Sequence, residues 1–440
     1  MIPSRRSFLK SGALFLPVGG ALGAVVTAAA PARAQSRPTF AGYGELVEDP
    51  EGIVDLPAGF EYRVLSQAGE ELTDGGLVPS NHDGMAAFSA GGSDTWLVRN
   101  HELDRARLGT GIPLPGDAGP SYDPEAVGGT TTLLVDGDRQ LVEHRISLAG
   151  TLVNCAGGPT PWNTWLTCEE SIATLSLPHG YVFEVDPEQG GNPEPILGMG
   201  RFEHEAVAFD LDGRAYLTED AVAPFGCVYR FTPEELFGGR GSLHAGGLLE
   251  ALSVPITGDL SVVTEVGTVL PVRWVRVPNI NPIGAEEALR RQVYGLGATT
   301  MQKAEGIWIG GDGNVWFTSS FARTPGAAVS HGGQIWRYDP IEEQMELMVL
   351  FAPDSPFDGP DNVTASPHGF AVVCTDGRVD NWLLTLGNDG TVAPFALNRL
   401  GSGEFAGATF SASGQTLFVN IYNPGLTLAI FGPWEAALDG

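Results

Sequence analysis

The stretch His204-Glu205-Ala206-Val207-Ala208-Phe209-Asp210, an Asp212-Gly213 turn, and Ala215-Tyr216-Leu217-Thr218 after it decide the fold, because the phrase returns. It comes back as Ala304-Glu305-Gly306-Ile307-Trp308-Ile309-Gly310, with the turn Asp312-Gly313 and the second run Val315-Trp316-Phe317-Thr318. Each copy is an acidic residue, a short apolar run, a glycine turn and a second apolar run, which is the pattern of a β-hairpin. Eleven residues separate Glu205 from Tyr216 and Glu305 from Trp316. The same interval separates Asp361 from Val372 in a third copy that starts at Pro360-Asp361-Asn362-Val363. Looser copies begin at Asp83, Cys155 and Glu404, and their second runs carry Trp96, Trp165 and Phe418.

The six second-run markers are therefore Trp96, Trp165, Tyr216, Trp316, Val372 and Phe418, spaced by 69, 51, 100, 56 and 46 residues. Those intervals bracket the length of a four-stranded propeller blade. Runs such as Gly180–Pro187, Gly226–Pro233 and Gly333–Pro340 supply further strands between the copies. The pattern predicts an all-β, six-bladed β-propeller forming a single domain over 35–440. A β-sandwich with accidental similarity is the alternative. The longest interval has room for a seventh blade, but reads as a partly helical insertion around 234–298. Thr232-Pro233-Glu234-Glu235 looks like a capping box with proline at the first helical position, and Glu286 to Tyr294 also looks helical.

Composition agrees. The 440 residues include 60 Gly and 32 Pro, about a fifth of the chain, which argues against long helices. At 43% hydrophobic, the chain can fill a large core. With 24 basic against 53 acidic residues the formal charge is −29, which excludes a nucleic-acid partner that needs a basic face. Carboxylates in such surplus suit cations, Ca2+ above all.

Residues 1–34 read as an address. Ser4-Arg5-Arg6-Ser7-Phe8-Leu9-Lys10 is a twin-arginine export signature, the run from Ala13 to Ala30 is weakly apolar, and Ala32-Arg33-Ala34 offers a cleavage site. The glycines and Pro17 in that run argue against a transmembrane anchor, so no stable membrane anchor is expected. The expected partner here is the twin-arginine export machinery, and the expected compartment is the periplasm or outside. The four cysteines, Cys155, Cys168, Cys227 and Cys374, could form two disulfides in such a compartment, and their spacings match no zinc knuckle.

In a propeller the start of the innermost strand and the end of the second strand meet on one face. The strand starts are Asp83, Cys155, Glu205, Glu305, Asp361 with Asn362, and Glu404; the strand ends include Glu102, Glu169-Glu170, Asp220 and Asp376. Carboxylates crowded in this way call for cations to offset their repulsion. Oxygen ligands favour Ca2+ or Mg2+, and one thiolate points to a softer metal such as iron or zinc. His101 reads as a structural histidine, and Cys155 from spacing alone could equally be a plain buried cysteine. No Ser-His-Asp arrangement is apparent.

Asn154-Cys155-Ala156-Gly157-Gly158-Pro159-Thr160-Pro161-Trp162-Asn163-Thr164-Trp165-Leu166-Thr167-Cys168-Glu169-Glu170 resembles the signature of the PhoX-type alkaline phosphatases. So do Gly200–Glu205, Glu305–Ile307, Pro360–Val363 and Glu404–Phe410, and the resemblance runs from about Val47 to Trp434. It implies a secreted phosphomonoesterase acting on small phosphorylated substrates, with Ca2+ and Fe3+ in an axial site. It further implies Cys155 as an iron ligand, and Glu170, Glu205, Glu305, Asp361 and Glu404 as carboxylate ligands, with Glu169 and Asn362 as weaker candidates.

Two departures stand out. The family's Cys-Glu-Asp-Gly is Cys374-Thr375-Asp376-Gly377 here, and the arginine expected two residues before Glu305 is Lys303. Lys303 is the one lysine outside the export segment and is expected to clamp phosphate, alternation along an extended segment placing it beside Glu305. A monomer is expected. The alternatives are a calcium-dependent lactonase-type propeller hydrolase and a non-catalytic ligand-binding propeller.

Overall fold

Each repeated phrase forms an antiparallel hairpin in the computed structural model, which describes residues 42–221, 225–322, 328–401 and 403–438. The described residues belong to one compact unit, Pro38–Gly440. The twin-arginine motif and the cleavage site lie outside them. Among the described residues no helix is long and apolar enough to cross a membrane.

Six sheets make six blades, numbered here in chain order from their inner strands His82–Gly91, Asn154–Pro159, His204–Phe209, Ala304–Ile309, Pro360–Ala365 and Phe405–Phe410. Each inner strand lies against its neighbours on either side, the last against the first, so the ring is closed. All six marker residues fall in second strands, from Asp94–His101 round to Thr416–Ile421. The sixth blade takes its outer strand from the other end of the chain: Glu61–Gln67 pairs antiparallel with Leu426–Phe431. Val54–Pro57 likewise joins the fifth blade. These pairings tie the two ends of the domain together and leave the sheet ring without a seam.

The core is divided among the gaps between blades. Trp165 and Phe183 pack with Phe88 between blades 1 and 2, Phe231 with Val182 between 2 and 3, and Trp336 with Tyr216 between 3 and 4. Phe395, Phe405 and Trp434 fill the gap between blades 5 and 6, with Trp434 edge-on to Phe60 and tilted against Phe395. Burying such side chains is the main favourable term holding neighbouring blades together.

The long interval is an insertion, as expected, but only lightly helical. Its strands Gly247–Ser253 and Arg273–Arg276 extend blade 3, and Val269–Pro271 extends blade 4. Helix is confined to short turns and to Leu289–Tyr294. The capping box at Thr232 does not start a helix: Thr232 and Pro233 pair with Leu248 and Gly247 in the sheet. Tertiary pairing overrides the local signal there, with Phe231 buried on the core side.

Near the axis the packing is close. A cavity of about 20 Å³ lies between Gly84, Ala156, Ala206, Gly306, Gly407 and the Trp308 side of blade 4. That is room for about one water, so the axis is no passage for a substrate. A Cβ on Gly306 would sit 2.7 Å from the Asn362 Cα, and one on Gly84 2.5 Å from the Ala156 Cα. Glycine at these positions is what lets adjacent inner strands approach.

Candidate metal centre

Every inner strand carries a β-bulge near its start. In five of them two residues oppose one across the hairpin: Asp83-Gly84, Cys155-Ala156, Glu205-Ala206, Glu305-Gly306 and Asp361-Asn362. In the sixth the bulge is Gly407-Ala408, and Glu404 stands just before the strand. A bulge breaks the two-residue alternation and re-aims a side chain. In the first five blades it turns the first residue of each pair, a carboxylate or a thiol, toward the axial mouth.

Polar side chains on second strands fix these bulges from the blade before. Asn100 donates to the Cys155 and Ala156 carbonyls, Thr218 to the Glu305 carbonyl, Thr318 to the Asp361 carbonyl and Asn420 to the Asp83 carbonyl. Asn362 serves in the same way: its Oδ1 accepts the Gly407 amide at 2.7 Å. The backbone that carries each candidate ligand is thus held by its neighbour as well as by its own sheet.

Two compact triads result. Ligand atoms of Cys155, Glu170 and Glu205 lie within 4.8 Å of one another, and so do those of Glu205, Glu305 and Asp361. Glu205 belongs to both, and the Cys155 Sγ donates to its Oε2 at 2.8 Å. Glu404 is outside the triads, yet its carboxyl is raised by burial and by the charges of Asp361, Asp376 and Asp83, so it faces the same pocket. Burial, then Glu102, Asp361 and Glu170, raise Asp83 in the same way. Asp83, Glu102 and Asp220, which the repeat placed at strand starts and ends, therefore join the pocket as expected.

Burial pushes the Cys155 thiol up, and Glu205, Glu170 and Asp83 push it further. Burial and neighbouring carboxylates likewise raise Glu170, Glu205 and Asp361, and Glu305 reaches about 7. Such a pocket holds its negative charge only if cations share it. A thiol with several carboxyl oxygens is a donor set that fits a borderline metal beside an oxygen-seeking one.

Glu169 turns away from this pocket. Its oxygens accept the amides of Leu152, Gly180 and Tyr181 and face His179 Nδ1 at 2.6 Å. All four cysteines are free and buried, so the disulfide option is not taken. His101 contacts the Ser80 carbonyl and Thr131 Oγ1 in full burial, a structural setting.

Lys303 does meet Glu305, but by a different route from the expected one. Its backbone is left-handed, with φ 46°, so it is not part of an extended segment. Its Nζ lies 2.5 Å from Asp220 Oδ2 and 2.9 Å from Glu305 Oε1. Burial opposes the charge, but these two carboxylates outweigh it and hold the ammonium well above its usual range. A second cation escaped sequence reasoning because no motif marks it. Arg107, on the loop after the second strand of blade 1, reaches Glu102 at 3.0 Å and Asp104 at 3.1 Å.

Blade 3 is braced behind the pocket. Arg290, on the short insertion helix, places Nη1 2.8 Å from both Glu203 and Glu219. These residues flank Glu205 and Asp220 in sequence. Glu219 is fully buried and also accepts the Tyr229 hydroxyl at 2.6 Å.

The fold matches that of Pseudomonas fluorescens PhoX, solved in complex with vanadate, a transition state analogue, with a TM-score of 0.68. Identity is 19%, over 88% of this chain and 97% of that one. A gluconolactonase from Xanthomonas campestris is more distant, with a TM-score of 0.45 and 13% identity over 89% of this chain and 98% of its own. No match was found among curated proteins. The family described as alkaline phosphatase PhoX matches residues 41–425, nearly the whole propeller, and the chain belongs to that family.

Proposed function

We propose that this protein is an exported, metal-dependent phosphomonoesterase whose centre is the axial pocket. The observation that carries the reading is the pair of triads sharing Glu205, in a chain of the PhoX family. Cys155, Glu170 and Glu205 would hold the softer ion, assigned as Fe3+, while Glu205, Glu305 and Asp361 would hold a neighbour, assigned with Glu404 to Ca2+. Bound ions would polarise a phosphoryl oxygen and offset the charge of in-line attack.

The residues themselves do the rest. Bulges and blade-to-blade hydrogen bonds set the ligands in advance, which keeps reorganisation small. Lys303, 23% exposed in its side chain, presents a point charge at the rim that can meet a phosphate oxygen. The narrow axis beneath confines substrate to one mouth. Substrates would be small phosphate esters, met in the periplasm or outside after twin-arginine export, by a monomer.

The test is to assay the metal-loaded protein against p-nitrophenyl phosphate and a sugar lactone. Phosphate release without lactone opening supports the phosphatase. Lactone opening alone would make it a calcium-dependent lactonase-type hydrolase, and neither activity would leave a ligand-binding propeller.

A further inference from the structure

Arg107 sits on the 26-residue segment 102–127, far longer than a hairpin turn needs. The segment is nevertheless well anchored. Leu103, Leu108 and Leu114 pack with Val127 and Ala149 in a small core of their own. The Ser80 amide donates to the Ile112 carbonyl, and the Ile112 amide returns the bond to Ser80 Oγ, both at 2.9 Å. Asp123 accepts the amides of Glu125 and Leu177. Near the segment's start, Asp104 Oδ1 accepts the amides of Ala106 and Arg107, which fixes the turn that carries the guanidinium.

That guanidinium is aimed along the rim of the pocket. Its Nε is committed to Glu102 and its Nη1 to Asp104, but Nη2 approaches Glu170 Oε2 only to 3.9 Å. That last distance is too long for a hydrogen bond. The side chain is 41% exposed, against 23% for Lys303. Arg107 comes within 3.9 Å of Glu170 in one triad, and Lys303 within 2.9 Å of Glu305 in the other. The two cations therefore stand one at each of the triads that share Glu205, with the lysine more buried and the arginine more exposed. A strongly acidic protein would repel a multiply charged anion unless a cation received it at the mouth.

We propose that Arg107 is a specificity-determining residue that binds a second phosphate group of the substrate, and that the enzyme accordingly favours bisphosphorylated over monophosphorylated esters. The Nη2 amino group, 3.9 Å from Glu170, is the donor left for a phosphate oxygen, and the guanidinium keeps its charge at any working pH. The assignment rests on the phosphomonoesterase reading above.

The pair fructose 1,6-bisphosphate and fructose 6-phosphate tests it, since one phosphate is the difference. Wild-type protein should show the higher kcat/KM on the bisphosphate. At equal metal content, Arg107→Gln should lower kcat/KM about ten- to a hundredfold more on the bisphosphate than on the monophosphate, the range of a lost charged hydrogen bond. The loss should appear mainly in KM. Arg107→Lys should recover part of it. An equal fall on both esters, or no change in their ratio, overturns the proposal and leaves the phosphatase reading intact. A wild-type protein that hydrolyses neither ester overturns both.

Discussion

Cys155 is the residue on which the identity of the metal turns. Its thiol is buried and pushed upward by three carboxylates, so it gives up its proton only to a cation strong enough to hold the thiolate. Cys155→Ser should therefore lose the softer metal and most phosphomonoesterase activity, while Cys168→Ser and Cys374→Ser should keep both. Elemental analysis of the purified variants checks this, and unchanged iron in Cys155→Ser would contradict it. Lys303 is the test of substrate handling. Removing a well-placed donor to a developing charge costs on the order of 2–4 kcal/mol. Lys303→Gln should therefore slow turnover about a hundredfold at equal metal loading, with Lys303→Arg retaining much of it. Equal turnover in wild type and Lys303→Gln would mean that phosphate is held elsewhere.

At the scale of elements, the hairpin phrase was legible because in three copies the acidic start and the second-strand marker stand eleven residues apart across a turn. The bulges were not, since a bulge adds one residue without changing the apolar count. Nor was the left-handed backbone at Lys303, which no residue type announces. The axial position of Cys155, Glu205, Glu305 and Asp361 could be reasoned from where strands start, but their grouping into two triads sharing Glu205 needed the bulge geometry. Arg107 was beyond reach, because a loop 26 residues long folds back by packing that leaves no periodic trace.

The insertion contributes through Arg290, which neutralises Glu203 and the buried Glu219. Burial raises Glu219 to about 7 even with that partner. Removing one member of a buried pair typically costs about 3–5 kcal/mol. Arg290→Ala should lower denaturant stability by that order at pH 8 and by less at pH 5, where Glu219 binds a proton. A cost independent of pH would place the brace elsewhere.

For the whole molecule, the crowded pocket makes stability depend on metal and pH together. A carboxyl raised in the folded state stabilises the fold below its unfolded value and loses that contribution as pH rises through the folded value. For Glu305 that window runs from 4.5 to about 7, through burial first and then the charge of Asp220. The buried His82 and His204 titrate with the opposite sign, lowered chiefly by burial. They are common to both forms, so the difference in melting temperature between metal-loaded and chelated protein isolates the pocket. That difference should widen as pH rises from about 4.5 to beyond 7, because bound ions stabilise only the folded state. A constant difference across the range would mean that the carboxylates are not sharing cations.

The central claim is that one axial cluster of thiol and carboxylates holds the metals that hydrolyse phosphate esters. The measurement that bears on it most directly is phosphomonoester turnover against metal content, as chelated protein is reloaded with calcium and iron. Turnover should be absent from the stripped protein and return in step with both metals. Full turnover in protein stripped of metal, or none in protein fully loaded, would contradict it.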